Sequence, residues 1–432
     1  MKKCTLIIGI FFSCVLVFAE TYFSGKFTSS VYSYINSDQI SNSTIGDRTS
    51  LNFTIGDESD NYSFLITPEI DFSYTEKLIE PRLKEWALKI DLFTFLSIKT
   101  GFFPYLPGMA EFFSNTNFYT ISDYEELVSG NFQNSMTPST LIQLQFFTDQ
   151  WYLFLTCSPF LITPILPDPA SPWFPTKNLP PSISISEPIN QTINLGSIII
   201  QDIICENSLS NANYGFELGG GFSYFDFSLS YFHGQNNFPL FTSTMEFPEG
   251  LNDYYNIILT PLWENIDAFG LDIKTTLNAM TFWLDAAYYP WKPYQSRKLD
   301  TTNFSTLIKE SPSIISTLGM GYEIQTPHIS LLIEYKKEWI LINLPEIVTP
   351  DFANLLTINL RLFLHDDKII FYPVVLLSTL DQSWATIFNF TFAPEYFFEC
   401  FFTLPLFFGK EKSDFGQYRK NIYGSMGFTY RL

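Results

Sequence analysis

The chain has 432 residues, with 44 acidic against 24 basic side chains and a formal net charge of −20. That balance argues against nucleic acid as a partner, because such binding needs clustered bases to release counterions from phosphate. Charged residues make up only 16% and aromatic residues 18%, with 46 Phe and 24 Tyr, whereas soluble domains carry about 25% charged residues.

Residues 1–20, MKKCTLIIGIFFSCVLVFAE, read as an export signal. Lys2 and Lys3 form the basic start, an apolar stretch follows, and Val17 and Ala19 stand where cleavage between Ala19 and Glu20 requires small or tolerated residues. A lipidated Cys14 is the alternative, but residues 15–18 would then place an apolar run directly after the anchor. The stretch is also shorter than the ~20 apolar residues of a membrane helix. Beyond it no apolar run reaches the ~18 residues of such a helix, so a hydrophobic chain of this kind points to crossing by strands. The expected organisation is a signal peptide, 1–19, followed by one transmembrane β-barrel, 20–432.

Period-two alternation begins early and recurs. In residues 61–74, NYSFLITPEIDFSY, one face carries Tyr62, Phe64, Ile66, Ile70, Phe72 and Tyr74, and the other Ser63, Thr67, Glu69, Asp71 and Ser73. Residues 82–92 set Trp86, Leu88, Ile90 and Leu92 against Glu85, Lys89 and Asp91. A strand with Lys99 follows and ends at Gly101, and an aromatic, Gly- and Pro-containing stretch runs from about Phe103 to Pro138. A second Pro-rich stretch, about 162–211, disfavours helix and ladder alike. Both stretches are long enough to be functional loops.

Alternation resumes at residues 213–236, where Glu217 and the glycines Gly215, Gly219 and Gly221 share the polar face. Inward glycines leave room for a neighbouring segment. Residues 266–289 add Asp272, Lys274 and Asp285, residues 314–336 add Glu323, Glu334 and Lys336, and residues 354–364 add Arg361. Pro68, Pro373 and Pro394 interrupt this scheme and require bulges or strand ends, because a closed barrel has no edge to accommodate a missing donor. Residues 368–377 and 396–408 are apolar on both faces, which fits places where a loop folds inward. The count comes to about 18 strands, 16–20 allowed, within the range of bacterial barrels.

The last strand, residues 420–432 (KNIYGSMGFTYRL), places Ile422, Met426, Phe428, Tyr430 and Leu432 on one face. It resembles the C-terminal signal of proteins inserted by the outer-membrane barrel assembly machinery: Ser425 stands at the polar position, Gly427 at the glycine, and Tyr430 and Leu432 form the alternating finish. The last residue of that signal is usually Phe, and Ser425 is smaller than its usual polar residue. Residues 96–119, LSIKTGFFPYLPGMAEFFSNTNFY, are similar to the strand-then-loop passage of porin-like proteins. The resemblance implies an all-β, antiparallel up-and-down barrel in the bacterial outer membrane. It also implies contact with lipid and lipopolysaccharide-type headgroups, with the assembly machinery during insertion, and with other copies in a homo-oligomer.

The expected function is a porin-like channel for passive or weakly selective diffusion of small polar or cationic solutes. The candidate lumen residues are Glu69, Asp71, Glu85, Lys89, Asp91, Lys99, Glu217, Asp272, Lys274, Asp285, Glu323, Glu334, Lys336 and Arg361, in which acids outnumber bases. Two alternatives stand beside it: a surface-binding or structural barrel whose loops carry the function, and a transporter of hydrophobic, fatty-acid-type substrates. An enzyme is not expected. His233, His328 and His365 are the only histidines, and none lies in a nucleophile or metal motif. No cofactor or metal is implied. Cys157 and Cys205 are a candidate pair across the Pro-rich stretch, the other reading being two unpaired thiols.

Overall fold

The computed structural model describes residues 22–36, 44–59, 61–74, 77–124, 126, 135–160, 164–169, 171, 173–175, 182–185, 191–201, 211–236, 239–246, 254–300, 305–342, 347–350 and 352–432. The cleavage position at Ala19 and Glu20, and Cys205, lie outside those residues. Cys157 and Cys400 are free thiols.

Alternating segments pair in sequence order into a wall of eighteen antiparallel strands. The first half comprises β1 (Tyr22–Asn36), β2 (Thr44–Ser59), β3 (Tyr62–Ser73), β4 (Leu78–Phe93), β5 (Leu96–Phe103), β6 (Ser139–Phe147), β7 (Trp151–Ser158), β8 (Asn213–Gly221) and β9 (Asp226–Gln235). The second comprises β10 (Asn265–Leu277), β11 (Met280–Asp300), β12 (Ser305–Gln325), β13 (His328–Ile340), β14 (Asn354–Leu364), β15 in two pieces (Ile369–Phe371 and Val374–Ser378), β16 (Trp384–Glu395), β17 (Phe398–Phe408) and β18 (Asn421–Arg431). The barrel closes where β1 pairs with β18, from Lys26↔Arg431 to Asn36↔Asn421. Closure leaves no strand of the wall with an unpaired edge, which is what hydrocarbon demands of a spanning sheet.

The two faces separate as the alternation predicts. On β10, Phe269, Leu271 and Ile273 are exposed, whereas Ala268 and Asp272 are buried. On β6, Ile142 and Leu144 are exposed and Gln143 and Gln145 buried. Apolar side chains thus point outward to lipid and polar ones inward. Rings gather toward both ends of the apolar band: Phe93 on Phe95, and Trp151 against Phe222 and Phe227 at one end, and Trp384 on Phe408 at the other. Such girdles mark the two membrane interfaces.

Turns at residues 94–95, 278–279 and 326–327 lie at the same end as Tyr22 and Leu432, and β5, β7 and β9 lead into the segments that follow them at the opposite end. Short turns face the periplasm and long loops the outside in barrels of this kind.

Pro68, Pro373 and Pro394 fall at irregularities. The β3–β4 register shifts between Thr67 and Pro68, with Lys84 as the extra residue. Pro373 lies in the break between the two pieces of β15, and the β16–β17 register shifts between Phe392 and Glu395, where Pro394 sits. Each position spares the ladder a missing N–H.

Candidate functional site

The segment between β5 and β6 turns into the barrel instead of leaving it. Its backbone approaches the inner face of β10–β13, where the alternation has placed carboxylates on β10, β11 and β13 and a threonine on β12. Glu334 on β13 accepts hydrogen bonds from the N–H groups of Glu111 (2.7 Å) and Phe112 (3.1 Å), and from Trp283 Nε1 (3.1 Å). Asp285 on β11 accepts one from the Asn115 N–H at 2.8 Å, and Asp272, directly across the ladder on β10, accepts from Thr116 Oγ1 (3.2 Å) and Ser228 Oγ (2.9 Å). Thr317 Oγ1 on β12 donates to the Phe113 carbonyl at 3.0 Å. At the start of the loop, Glu217 on β8 receives the hydroxyls of Tyr105 and Tyr152.

Four wall carboxylates thus act as acceptors for the loop or for groups beside it, and among the described residues none has a basic hydrogen-bond partner. Glycine makes the close approach feasible. Gly108 has φ +100°, and a Cβ there would lie 2.6 Å from Asp285 Oδ2; one on Gly215 would lie 2.7 Å from Tyr119 Oη in the loop.

Beyond residue 117 the loop is held by apolar packing. Phe118 stacks on Phe232 at 5.0 Å and meets Tyr289 edge-on at 6.5 Å, within a buried cluster that includes Phe103, Leu141, Ala268, Ala287 and Ile315. A second buried cluster fills the facing wall: Trp173, from the segment after β7, packs with Phe407, Tyr418, Leu355, Val374 and Leu376. The strands that read as apolar on both faces are therefore those whose inner face receives inward-folded aromatic residues. Trp173→Ala removes a core indole worth ~3–5 kcal/mol, so it is expected to undock that segment while leaving the wall intact. Faster protease cleavage of residues 159–212, with unchanged heat-modifiable mobility of the barrel, would show it.

The β17–β18 connection is tied down separately. Asp381 accepts hydrogen bonds from the Ser383 N–H (3.0 Å) and Oγ (2.6 Å) and from the Asp414 N–H (2.6 Å). Burial raises the Asp381 carboxyl's pKa, but these bonds outweigh it and hold the group below its usual range. A depressed native pKa stabilises above the unfolded value, near ~3.9, and the contribution is lost as pH falls through the native value. The 409–420 loop is accordingly expected to loosen in acid below about pH 4, and Asp381→Asn to remove that pH dependence, read by amide exchange at residues 413–416.

The wall facing the loop carries a ladder of charges. Arg82 Nε lies 2.5 Å from Glu69 Oε2, Arg82 Nη2 3.0 Å from Asp71, Lys84 Nζ 3.6 Å from Glu69, and Arg48 Nη2 3.3 Å from Asp71. From the infolded segment, Glu126 reaches Arg48 at 2.8 Å and Glu111 reaches Arg361 at 3.4 Å. The loop thus touches β10–β13, β14 and β2, spanning the interior. In the ladder the bases are the open side chains: Arg48, Arg82 and Lys84 are 42%, 47% and 46% exposed, against 3% for Glu69 and 13% for Asp71.

The structure divides the fourteen lumen candidates. Glu217, Asp272, Asp285 and Glu334 are on the inner face but buried, from 0 to 8% exposed, their carboxyl groups accepting hydrogen bonds from the loop and its surroundings. Lys336 is also beneath the loop, its Nζ 5.5 Å from the Phe113 ring centre. Glu69 and Asp71 belong to the ladder, and Arg361 to the loop contact. Glu85 is half-buried on β4, and Lys99 lies over the Phe103 ring at 4.0 Å. Lys89 pairs with Asp91 at 3.0 Å near the 94–95 turn, Glu323 approaches His328 at 3.4 Å near the 326–327 turn, and Lys274 lies opposite Asp226 on the same rim. Sequence reading missed Arg48, Arg82, Lys84, Glu111, Glu126 and Trp173. For Arg48 a signal existed, since Arg48, Ser50 and Asn52 alternate with Leu51 and Phe53. For Glu111, Glu126 and Trp173, in segments without alternation, none did. Among the described residues, no group of three or more His, Cys, Asp or Glu is arranged to hold a metal ion.

No family model matches the sequence, and no curated protein matches it. Among solved structures, the chain is similar to Salmonella typhi OmpF in complex with daunomycin, at 9% identity over 95% of this chain and 97% of that one, with a TM-score of 0.42. It is also similar to OmpT, an outer membrane protein of Vibrio cholerae, in a loop-deleted form: 7% identity, 95% and 99% coverage, TM-score 0.41. A triple mutant of the Rhodopseudomonas blastica porin gives 8% identity, 95% and 100% coverage and a TM-score of 0.41.

Proposed function

We propose that this barrel is a non-enzymatic, porin-like channel of the bacterial outer membrane, passing small polar solutes through a constriction formed by residues 104–126. The observation that carries this reading is the loop itself: it crosses the interior and is pinned to the wall by Glu334, Asp285 and Thr317 on one side and by Arg48 on another. A segment held by so many directional bonds narrows a passage at a fixed level.

The charge open to solutes at that level is Arg48, Arg82 and Lys84 on one wall, with the mutually paired Arg361 and Glu111 beside the loop. Burial of the facing acids shifts the proposed preference from cations toward anionic or neutral polar solutes, because a lumen's selectivity follows the charges its solutes meet. Refolded protein in a planar bilayer is expected to give stepwise conductance. The absence of steps from correctly folded barrel overturns the channel reading.

The loop-function alternative has its own support. Gln191–Ile200 runs parallel to Tyr254–Leu262, which pairs with Leu240–Glu246, in a sheet separate from the wall, packed around Phe174, Tyr255, Ile257 and Leu259. Such a structured surface suits a binding role, testable by excising residues 182–201 and measuring conductance and cell adhesion separately. The hydrophobic-substrate reading loses its main support, since the apolar inner faces of β15 and β17 are occupied by Trp173 and its neighbours. For assembly, Ser425, Gly427, Tyr430 and Leu432 lie on or beside the closing strand, and the Leu432 N–H donates to the Gly25 carbonyl at 2.7 Å. We place the insertion signal there, with lipopolysaccharide-type lipids and further copies of the chain as the barrel's expected surroundings.

A further inference from the structure

The lipid-facing wall carries one feature that a channel does not use. On the outer face of β6–β9, Cys157 stands in register between Ile142 and Tyr214, and its short side chain leaves a depression between those larger neighbours. The resulting slot, of about 450 Å³, is also lined by Leu144, Leu155 and Phe216 and is bounded by Tyr231.

At its upper end, toward the long loops, the same face turns polar. His233 and Asp267 stand directly opposite each other on β9 and β10. Asp267 Oδ1 accepts the Tyr231 hydroxyl at 2.8 Å and lies 2.9 Å from His233 Nδ1, while the His233 ring packs on Tyr214 at 4.9 Å. Tyr231 and Tyr214 thus belong to both the slot and the polar group.

A carboxylate facing lipid is costly unless something compensates it. Tyr231 and His233 serve only Oδ1. Among the described residues Oδ2 has no hydrogen-bond partner, and the Asp267 side chain is 42% exposed. The pair lies one outward position above the Tyr231–Phe269 ring contact, 5.2 Å between centres, the level at which aromatic residues mark the headgroup zone.

We infer that this slot binds one lipid whose headgroup carries a primary ammonium, for which phosphatidylethanolamine is the probe, an acyl chain lying along Leu155, Cys157 and Phe216 and the ammonium donating to Asp267 Oδ2. An ammonium with three N–H donors meets a carboxylate that has accepting capacity to spare. A quaternary ammonium has no such donor, and a purely anionic headgroup would meet repulsion.

Native mass spectrometry of the refolded full chain tests this, with phosphatidylethanolamine, phosphatidylcholine and phosphatidylglycerol of identical chains offered at equal concentration. Wild type is expected to retain one phosphatidylethanolamine about tenfold better than either competitor, the factor of one charge-assisted hydrogen bond. Asp267→Asn is expected to lower its retention to the phosphatidylcholine level. Cys157→Phe fills the slot and is expected to abolish retention of all three. Heat-modifiable mobility of the barrel confirms that each variant is folded. Preference for phosphatidylethanolamine surviving in Asp267→Asn overturns the headgroup assignment, and retention surviving in Cys157→Phe overturns the slot. Equal retention of the three lipids by wild type, better retention of phosphatidylglycerol, or no retention overturns the proposal as a whole. Because these readouts do not require conduction, the proposal stands or falls apart from the channel reading.

Discussion

Replacing Asp285 and Glu334 together by alanine is expected to raise single-channel conductance severalfold and to turn a steady open level into a flickering one. The double change removes the acceptors of the Glu111, Phe112 and Asn115 N–H groups. Hydrogen bonds to charged groups contribute ~1.5–3 kcal/mol each, and a buried donor left without a partner costs ~1–3 kcal/mol. The loop avoids that cost only by moving its first half toward water, out of its position across the passage. Its second half stays in place, because Phe118 remains packed between Phe232 and Tyr289. Adding Phe118→Ala is therefore expected to enlarge the effect.

The isosteric change Asp285→Asn is expected to leave conductance near wild type. It retains a carbonyl acceptor for the Asn115 N–H and removes one of two carboxyl groups that face each other across β10 and β11. Unchanged conductance in the folded double alanine variant would show that the loop is not the constriction.

Arg48→Glu is expected to move ion preference toward cations, read as a change in sign or a large shift of the reversal potential under a salt gradient. The substitution replaces one of the three open bases and also repels Glu126, which reaches Arg48 at 2.8 Å. Asp71 keeps Arg82 as a partner at 3.0 Å, so the wall should remain folded. Arg82→Glu is a poorer test, since it strips the buried Glu69 of its nearest partner, and breaking a buried pair costs ~3–5 kcal/mol. The shift should be largest at low ionic strength and fade as the Debye length falls from ~10 Å at 0.1 M to ~3 Å at 1 M. A reversal potential unmoved by Arg48→Glu would remove the basic ladder from any account of selectivity.

Both predictions concern charges, and charge is where sequence and structure part company. Alternation assigned Asp272, Asp285 and Glu334 to the inner face correctly, because side-chain period in a strand is a local property of the backbone. What an inward acid does depends on what reaches it. Residues 104–126 approach within hydrogen-bonding distance from far along the chain: Glu111 lies 223 residues from Glu334, and Asn115 lies 170 from Asp285. No periodicity in either segment encodes that meeting.

The doubly apolar strands show the same division. Val374, Leu376 and Phe407 announced an inner face without water, but their partner proved to be Trp173, from a Pro-rich segment whose sequence carries no directional signal. The three awkward prolines were legible in kind, as irregularities, and only the pairing showed that Lys84 is the extra residue opposite Pro68. By itself, then, the sequence determined an all-β, strand-crossed barrel of about eighteen strands, its two faces and its closing C-terminal strand, since each follows from period-two patterning and the need to pair every backbone group in lipid. Only the tertiary structure decided which charges are buried and which are open, because loop placement is fixed by contacts between residues hundreds of positions apart. It buried Glu69, Asp272, Asp285 and Glu334 and left Arg48, Arg82 and Lys84 open.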